Sequence, residues 1–263
     1  MNVFRKHLRD NRRGYLGWTV ALAAVAAMYA SFWPSLGGNA DMASAMEALP
    51  PAVKDAFHMQ DITSASGYFG SSVFGILIPV LTTVFAIGTG VRAIAGDEES
   101  GTLDLTLAHP VSRVGLALQR FAAIVVALLA ATAAILAMLL VLRSPAEFTQ
   151  LSVGNLAATS FQLALLGICF ASIAFALGAF TGRRTLALGT TAGLAVVTYL
   201  ADSFLPQIKG LAWTERFSPY NWYLGGEPLV NGVQWADVAL LIAVSAAAVA
   251  IGTYRFTKRD IAV

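Results

Sequence analysis

One polar stretch carries most of the groups that could do chemistry: GDEESGTLDLTLAHPVSR, residues 96–113. Three consecutive acids at 97–99 predict the start of a helix, since negative charge is favourable near a helix N-terminus. Leu103 and Leu107 would then share one helical face, four residues apart. Pro110 ends the element, because it donates no hydrogen bond and its ring clashes with the preceding turn. Exposed leucines on a short helix indicate the binding of another protein.

Two alternatives stay open from the residues alone. Leu103, Leu105 and Leu107 alternate with polar residues, a pattern that also fits a strand, although an isolated strand would have no sheet to join. A helix with exposed leucines could also lie against its own membrane. We adopt a third interpretation, in which the helix docks into a groove of a soluble partner and buries its apolar face there.

The remaining reactive residues do not form a catalytic or metal site. His7, His58 and His109 fall in three separate segments, and the single Cys169 lies in an apolar run. The sequence has neither an H-E-x-x-H pair nor a G-x-S-x-G elbow. No lysine follows a glycine, which excludes a phosphate-binding loop of the G-x-x-x-x-G-K-[ST] type. We expect no enzyme activity, no metal, no cofactor bound by this chain and no nucleic-acid partner.

Long uncharged runs must position the polar stretch, and they indicate a membrane protein. The chain is 57% hydrophobic and only 12% charged, whereas soluble domains carry about 25% charged residues. A helix needs roughly 20 apolar residues to cross a membrane, so we predict an all-α membrane protein of one domain, residues 1–263, with six transmembrane helices. The predicted spans cover about 15–33, 69–91, 121–142, 156–180, 186–205 and 238–254. Residues 1–13 predict a short interfacial helix, with a disordered basic tail as the alternative.

The positions of Lys and Arg orient these spans. With six helices, both termini share a side with the loop between spans two and three and the loop between spans four and five. That side carries 13 of the 17 Lys and Arg residues, and the other side carries four. Because cytoplasmic loops are enriched in Lys and Arg, we predict that both termini and residues 96–113 face the cytoplasm.

The polar stretch resembles the cytoplasmic loop of type-2 ABC exporter permeases. That loop has a glycine and acids, then Gly-Thr-Leu, further leucines, a proline and Ser-Arg. The matching positions here are Gly96, Glu98, Glu99, Gly101, Thr102, Leu103, Leu105, Leu107, Pro110, Ser112 and Arg113. The segments ALPPAVKDAF, SPYNW and YRFTKRDIAV also resemble family features, so the similarity covers nearly the whole chain.

The resemblance implies a function and its partners. Residues 98–108 would form a cytoplasmic coupling helix, seated in a groove of a separate ABC ATPase. Two permease subunits, identical or homologous, would pair with an ATPase dimer that binds the ATP and Mg²⁺. The complex would lie in a bacterial cell membrane and export an amphiphilic or hydrophobic substrate, such as a drug or lipid. The alternative is a non-transporting membrane anchor or signalling subunit of an ATPase complex.

Polar and aromatic residues in spans two and five are candidates for a substrate path. These candidates are Thr82, Thr83, Phe85, Thr190, Thr191 and Thr198. Local helix packing is the alternative explanation for each threonine. Asp202 and Asp237, near the outer ends of spans five and six, are expected to be solvated carboxylates at the membrane interface.

Overall fold

The computed structural model describes residues 2–37, 48, 64–103 and 111–259. The regular structure in this part of the chain is helical, without strands. As the sequence predicts, six helices are long and apolar enough to cross a membrane. They are α1 (Val3–Leu36), α2 (Ala65–Glu99), α3 (Arg113–Leu142), α4 (Val153–Thr181), α5 (Arg184–Phe204) and α6 (Trp235–Lys258).

All six helices extend beyond the predicted span on at least one side. α1 has 34 residues, which is about 51 Å at 1.5 Å per residue, against about 30 Å of hydrocarbon. Its first residues are helical but continue without a break into the span, so the separate interfacial helix predicted for 1–13 is wrong. The side chain of Asn2 caps α1 by accepting a hydrogen bond from the backbone N–H of Arg5 (3.1 Å). The backbone N–H of Phe4 donates to Oε1 of Gln119 (3.3 Å), which holds this first turn against α3.

α4 lies at the centre of the bundle. In its most apolar window, 78% of the residues are buried by the rest of the chain, against 17% for α5. α2 and α6 pack along α4, α1 packs on α3, and α5 is attached at the edge. Two glycines allow the closest approaches: a Cβ on Gly90 of α2 would collide with the carbonyl oxygen of Ala171, and a Cβ on Gly252 of α6 would lie 2.8 Å from Cα of Ala176. These contacts hold α2, α4 and α6 together as one tightly packed group.

α2 is the least regular of the long helices. Its segments Phe69–Leu77 and Arg92–Gly96 form wider, π-helical turns, a geometry that is frequent at functional sites. In the first segment, the carbonyl oxygen of Phe74 accepts a hydrogen bond from the hydroxyl of Tyr223 (2.9 Å). That bond ties α2 to the chain between α5 and α6.

The two ends of the bundle differ in charge and structure. The end at which α1, α3 and α5 begin carries 13 of the 17 Lys and Arg residues, and we call it the basic end. At the opposite end the chain between α5 and α6 forms a cap of short helical segments: Leu205–Gln207, Ala212–Phe217, Asn221–Gly225 and Pro228–Asn231. The cap is fastened to the central helix, because the side-chain amide of Gln162 donates to the carbonyls of Trp222 (3.3 Å) and Tyr223 (3.0 Å).

Candidate functional site

The three acids of the polar stretch form the last turn of α2 and not the first turn of a new helix. The chain leaves α2 through Ser100 and Gly101, and Gly101 has a φ of +67°, a left-handed conformation that glycine adopts readily. The backbone N–H of Gly101 donates to the carbonyl of Glu98 (3.0 Å), and the hydroxyl of Thr102 donates to the carbonyl of Asp97 (3.2 Å). Helical residues resume at 102–103. The prediction of one continuous helix over 98–108 is therefore wrong.

Leu103 is buried within its own chain. Its side chain is 1% exposed and belongs to the hydrophobic core. Leu103 is therefore not exposed within this chain, contrary to the expectation of an exposed apolar face, and its contact with a partner stays a prediction. Leu105, Leu107 and Pro110 lie outside the described residues, so their contacts with a partner stay predictions.

Asp97 pairs with Arg120 of α3. Nη2 of Arg120 lies 2.7 Å from Oδ2 of Asp97, and its Nη1 donates to the carbonyl oxygen of Ala93 (2.7 Å). The arginine side chain is only 5% exposed. These two charge-assisted contacts compensate for removing the guanidinium from water. Because both partners belong to the last turns of α2, Arg120 fastens α3 to the end of α2.

Glu98 pairs with Arg259, directly after α6. The Glu98 side chain is 5% exposed and that of Arg259 is 22% exposed. Gly182, in the turn between α4 and α5, lies against this pair: a Cβ there would be 2.7 Å from Oε1 of Glu98. Gly182 also has a φ of +64°, so both the space and the conformation favour glycine. Glu98 thereby joins α2 to α6 beside the turn that leads into α5.

Glu99 caps the N-terminus of α5. Its Oε1 accepts a hydrogen bond from the backbone N–H of Arg184 (2.7 Å). The first N–H groups of a helix have no intrahelical acceptor, and a carboxylate placed there is stabilising. The favourable pairing of an acid with a helix N-terminus, which the sequence predicts for residues 97–99, thus occurs at the start of a different helix.

Arg113 secures the same region from α3. Its Nη1 donates to the carbonyl oxygen of Arg259 (2.8 Å), and its guanidinium lies 6.0 Å from the ring centre of Phe256. Ser112 caps α3 by accepting a hydrogen bond from the backbone N–H of Gly115 (3.1 Å). We call the three contacts of residues 97–99, with Arg120, Arg259 and the backbone of Arg184, the acid network. It joins the end of α2 to α3, α5 and α6.

Sequence reasoning did not find the partners of the acids. Glu98 and Arg259 are 161 residues apart in the chain, and no local pattern connects them. The signals that pointed toward them were the segments TGRRT and FTKRD, which place arginines on the same side of the membrane as the acids. Which arginine meets which acid depends on the packing of α2, α4 and α6.

The candidate residues for a substrate path lie in different environments. They are Thr82, Thr83, Phe85, Thr190, Thr191 and Thr198. The three in α2 are buried inside the chain. Of the three in α5, the first is exposed, and the hydroxyls of the other two donate to carbonyls one turn earlier in the same helix (both 2.8 Å). Such bonds agree with the packing alternative, and a path along these residues stays a prediction.

Comparison with known protein families gives a match over nearly the whole chain. The sequence model of a family described as ABC-2 family transporter protein matches residues 1–261. No curated protein matches the sequence. The family match includes all six long helices and every residue of the acid network.

Proposed function

Because the chain belongs to the ABC-2 family of transporter proteins, we propose that it is the membrane-spanning permease subunit of an exporter driven by a separate ABC ATPase. Family membership makes the chain a membrane transport component that associates with an ABC ATPase. ATP and Mg²⁺ would bind to that ATPase, since the sequence of this chain has no phosphate-binding loop.

The acid network is the observation that carries the proposal. The segment that would contact the ATPase follows α2 directly, so a displacement of this segment acts first on residues 97–99. Those acids are bonded to α3 through Arg120, to the end of α6 through Arg259 and to the start of α5 through Arg184. A push from the ATPase would therefore reach four helices at the same time. This is the property that a transmission site between an ATPase and a membrane bundle requires.

The proposed complex contains two permease subunits, identical or homologous, and an ATPase dimer. The basic end faces the cytoplasm of a bacterial cell, an orientation supported by its 13 of 17 Lys and Arg residues. α1 and α5 leave large apolar side chains on the outside of the chain, among them Leu16, Val20, Val196 and Val197, as suits contact with lipid or with the second permease. The substrate would be an amphiphilic or hydrophobic compound that moves outward.

The docking of the ATPase is tested at the leucines that follow Gly101. We expect Leu107→Asp to abolish co-purification of the ATPase while the permease still inserts, since a carboxylate enters an apolar groove at high cost. Leu103→Asp is the matched comparison: because Leu103 is buried in its own chain, this variant should lower the unfolding temperature of the permease even without the ATPase. Undiminished co-purification with Leu107→Asp would contradict the coupling assignment.

Transport itself is tested in inverted membrane vesicles that contain the permease and its ATPase. ATP should drive the accumulation of a fluorescent amphiphile, and an ATPase variant that binds but does not hydrolyse ATP should abolish that accumulation. Hydrolysis of ATP without flux of drug-like or lipid-like compounds would favour the anchor or signalling alternative.

A further inference from the structure

A small cavity lies at the opposite end of the bundle, between α5, the first π-helical turns of α2 and the cap. Its volume is about 20 Å³, enough for one occupant the size of a water molecule. Its walls combine polar and aromatic residues with two apolar ones, Ile76 and Leu224; the others are Gly75, Tyr199, Asp202, Ser203, Tyr220 and Tyr223. The cavity therefore has the size and the polarity to hold one small polar or charged group.

Asp202 contributes an unpaired carboxylate oxygen. Its Oδ1 is buried and has no hydrogen-bond donor in the part of the chain that the structure describes. The hydroxyl of Ser218 favours the charged form of this carboxyl group, and Glu215, a second acid, opposes it. Neither ion pair found among the described residues involves Asp202. Asp202 is thus only partly exposed, with one oxygen out of reach of water, and the nearby acid favours a positive charge beside it.

Gly75 of α2 also lines the cavity. Gly75 lies in the π-helical segment Phe69–Leu77, and Pro79, four residues later, has no N–H to offer its carbonyl oxygen. The hydroxyl of Tyr199 approaches this carbonyl only to 3.5 Å, the long limit of a hydrogen bond. Carbonyls in irregular turns of membrane helices are ligands that transporters offer to cations.

The charge of the site limits the kind of cation. Among the described residues, no group of three His, Cys, Asp or Glu side chains could hold a metal ion together. One carboxylate and neutral oxygens match a single positive charge, whereas multivalent ions are bound by several carboxylates or by His and Cys.

We propose that this cavity binds one small, singly charged cationic group between the carboxylate of Asp202 and the carbonyl of Gly75. The group is either a free monovalent cation or the ammonium group of an amphiphile, and the second source rests on the proposed function. In both cases the ligand neutralises a partly buried acid and bridges α5 to α2. Its binding should therefore stabilise the end of the bundle that carries the cap.

The test uses the purified full-length permease in detergent, heated in the chlorides of sodium, potassium, ammonium and tetramethylammonium at equal ionic strength. We expect at least one small cation to raise the apparent unfolding temperature by about 3–6 °C at about ten times its dissociation constant. Tetramethylammonium is too large for the cavity and should give no rise. Asp202→Asn should remove this rise in unfolding temperature. Asp237→Asn, a matched change in α6 at the same end of the bundle, should keep it. Hexylammonium and hexyltrimethylammonium are tested in the same way, as amphiphiles with a small and a large cationic group.

Each outcome decides between the sources or against the site. A rise with inorganic cations that depends on Asp202 supports a free-cation site, and a rise with hexylammonium alone supports binding of a substrate headgroup. Identical unfolding temperatures in all salts and amphiphiles, or an equal rise with tetramethylammonium, would overturn the proposal. If Asp202→Asn yields no folded protein, the size selectivity of the wild-type protein still tests the proposal. None of these arms needs the ATPase, so failure here is separate from failure of the coupling assignment.

Discussion

Glu98→Gln is expected to loosen the basic end of the bundle. The substitution keeps the shape of the side chain but removes the charge that Arg259 meets. Glu98 is 5% exposed and Arg259 is 22% exposed, so Glu98 is almost fully removed from water and Arg259 largely so. The guanidinium of Arg259 would remain beside Gly182 with a weaker, neutral acceptor.

The magnitude follows from this intermediate burial. Removing one partner of a fully buried ion pair costs about 3–5 kcal/mol, and an exposed pair contributes about 0–1 kcal/mol. The pair lies between these limits, and glutamine still accepts one hydrogen bond, so we expect a loss of about 2 kcal/mol. At about 2–4 °C per kcal/mol, the apparent unfolding temperature should fall by about 4–8 °C. Glu98→Gln combined with Arg259→Gln should cost less than the sum of the two single changes, by about 1–2 kcal/mol.

The assay is thermal unfolding of the purified permease in detergent, followed by intrinsic tryptophan fluorescence. Lys258→Gln is the matched control, because it removes a positive charge from an exposed neighbour of Arg259 and should change stability by less than about 0.5 kcal/mol. If Glu98→Gln unfolds at the same temperature as Lys258→Gln and wild type, the Glu98–Arg259 pair does not hold the end of the bundle. The acid network would then not connect α2 to α6.

Three further predictions concern packing, the cap and topology. Gly90→Ala should destabilise the bundle by about 1–3 kcal/mol, since the new Cβ would meet a carbonyl of α4. Gly88→Ala, with nothing within 4 Å of its new Cβ, should be neutral or stabilising by up to about 1 kcal/mol. Equal shifts of the unfolding temperature in the two variants would refute this contrast. Tyr223→Phe should cost about 1 kcal/mol through the lost hydrogen bond to α2, and Tyr254→Phe, exposed on α6, should cost nothing measurable by the same assay. A phosphatase–fluorescent-protein reporter pair fused after Val263 should report the cytoplasm, and phosphatase activity there would reverse the proposed orientation.

Helix number and type follow from composition and run length because both depend on local sequence. Long uncharged runs force the backbone to satisfy its hydrogen bonds internally, which makes helices the expected elements. The ends of the helices were less predictable. The 1–13 prediction failed because the amphipathic pattern of these residues does not itself break a helix, so α1 continues through them.

The contacts of the acids could not be predicted because they join distant parts of the chain. The charge and position of residues 97–99 were evident, as was their preference for a helix N-terminus. The helix that Glu99 caps, however, begins 85 residues later at Arg184. Leu103 shows the same limit: a leucine four residues from another leucine suggests an exposed face, but Leu103 is buried in the hydrophobic core of the folded chain.

The packing of the bundle divides the helices into a rigid group and an attached one. α4 is buried along most of its apolar window and touches α2 and α6 through glycines that leave no room for a Cβ. These three helices must therefore move together, because sliding any of them would create overlaps or cavities. α5 is buried by the chain along only a small share of its window, and its first turn is fixed to α2 by the carboxylate of Glu99. A force applied just after α2 thus acts on the group of α2, α4 and α6. Through Glu99 it also acts on α5, which is the least buried against the rest of the chain. We therefore expect α5 to change its angle when the ATPase closes.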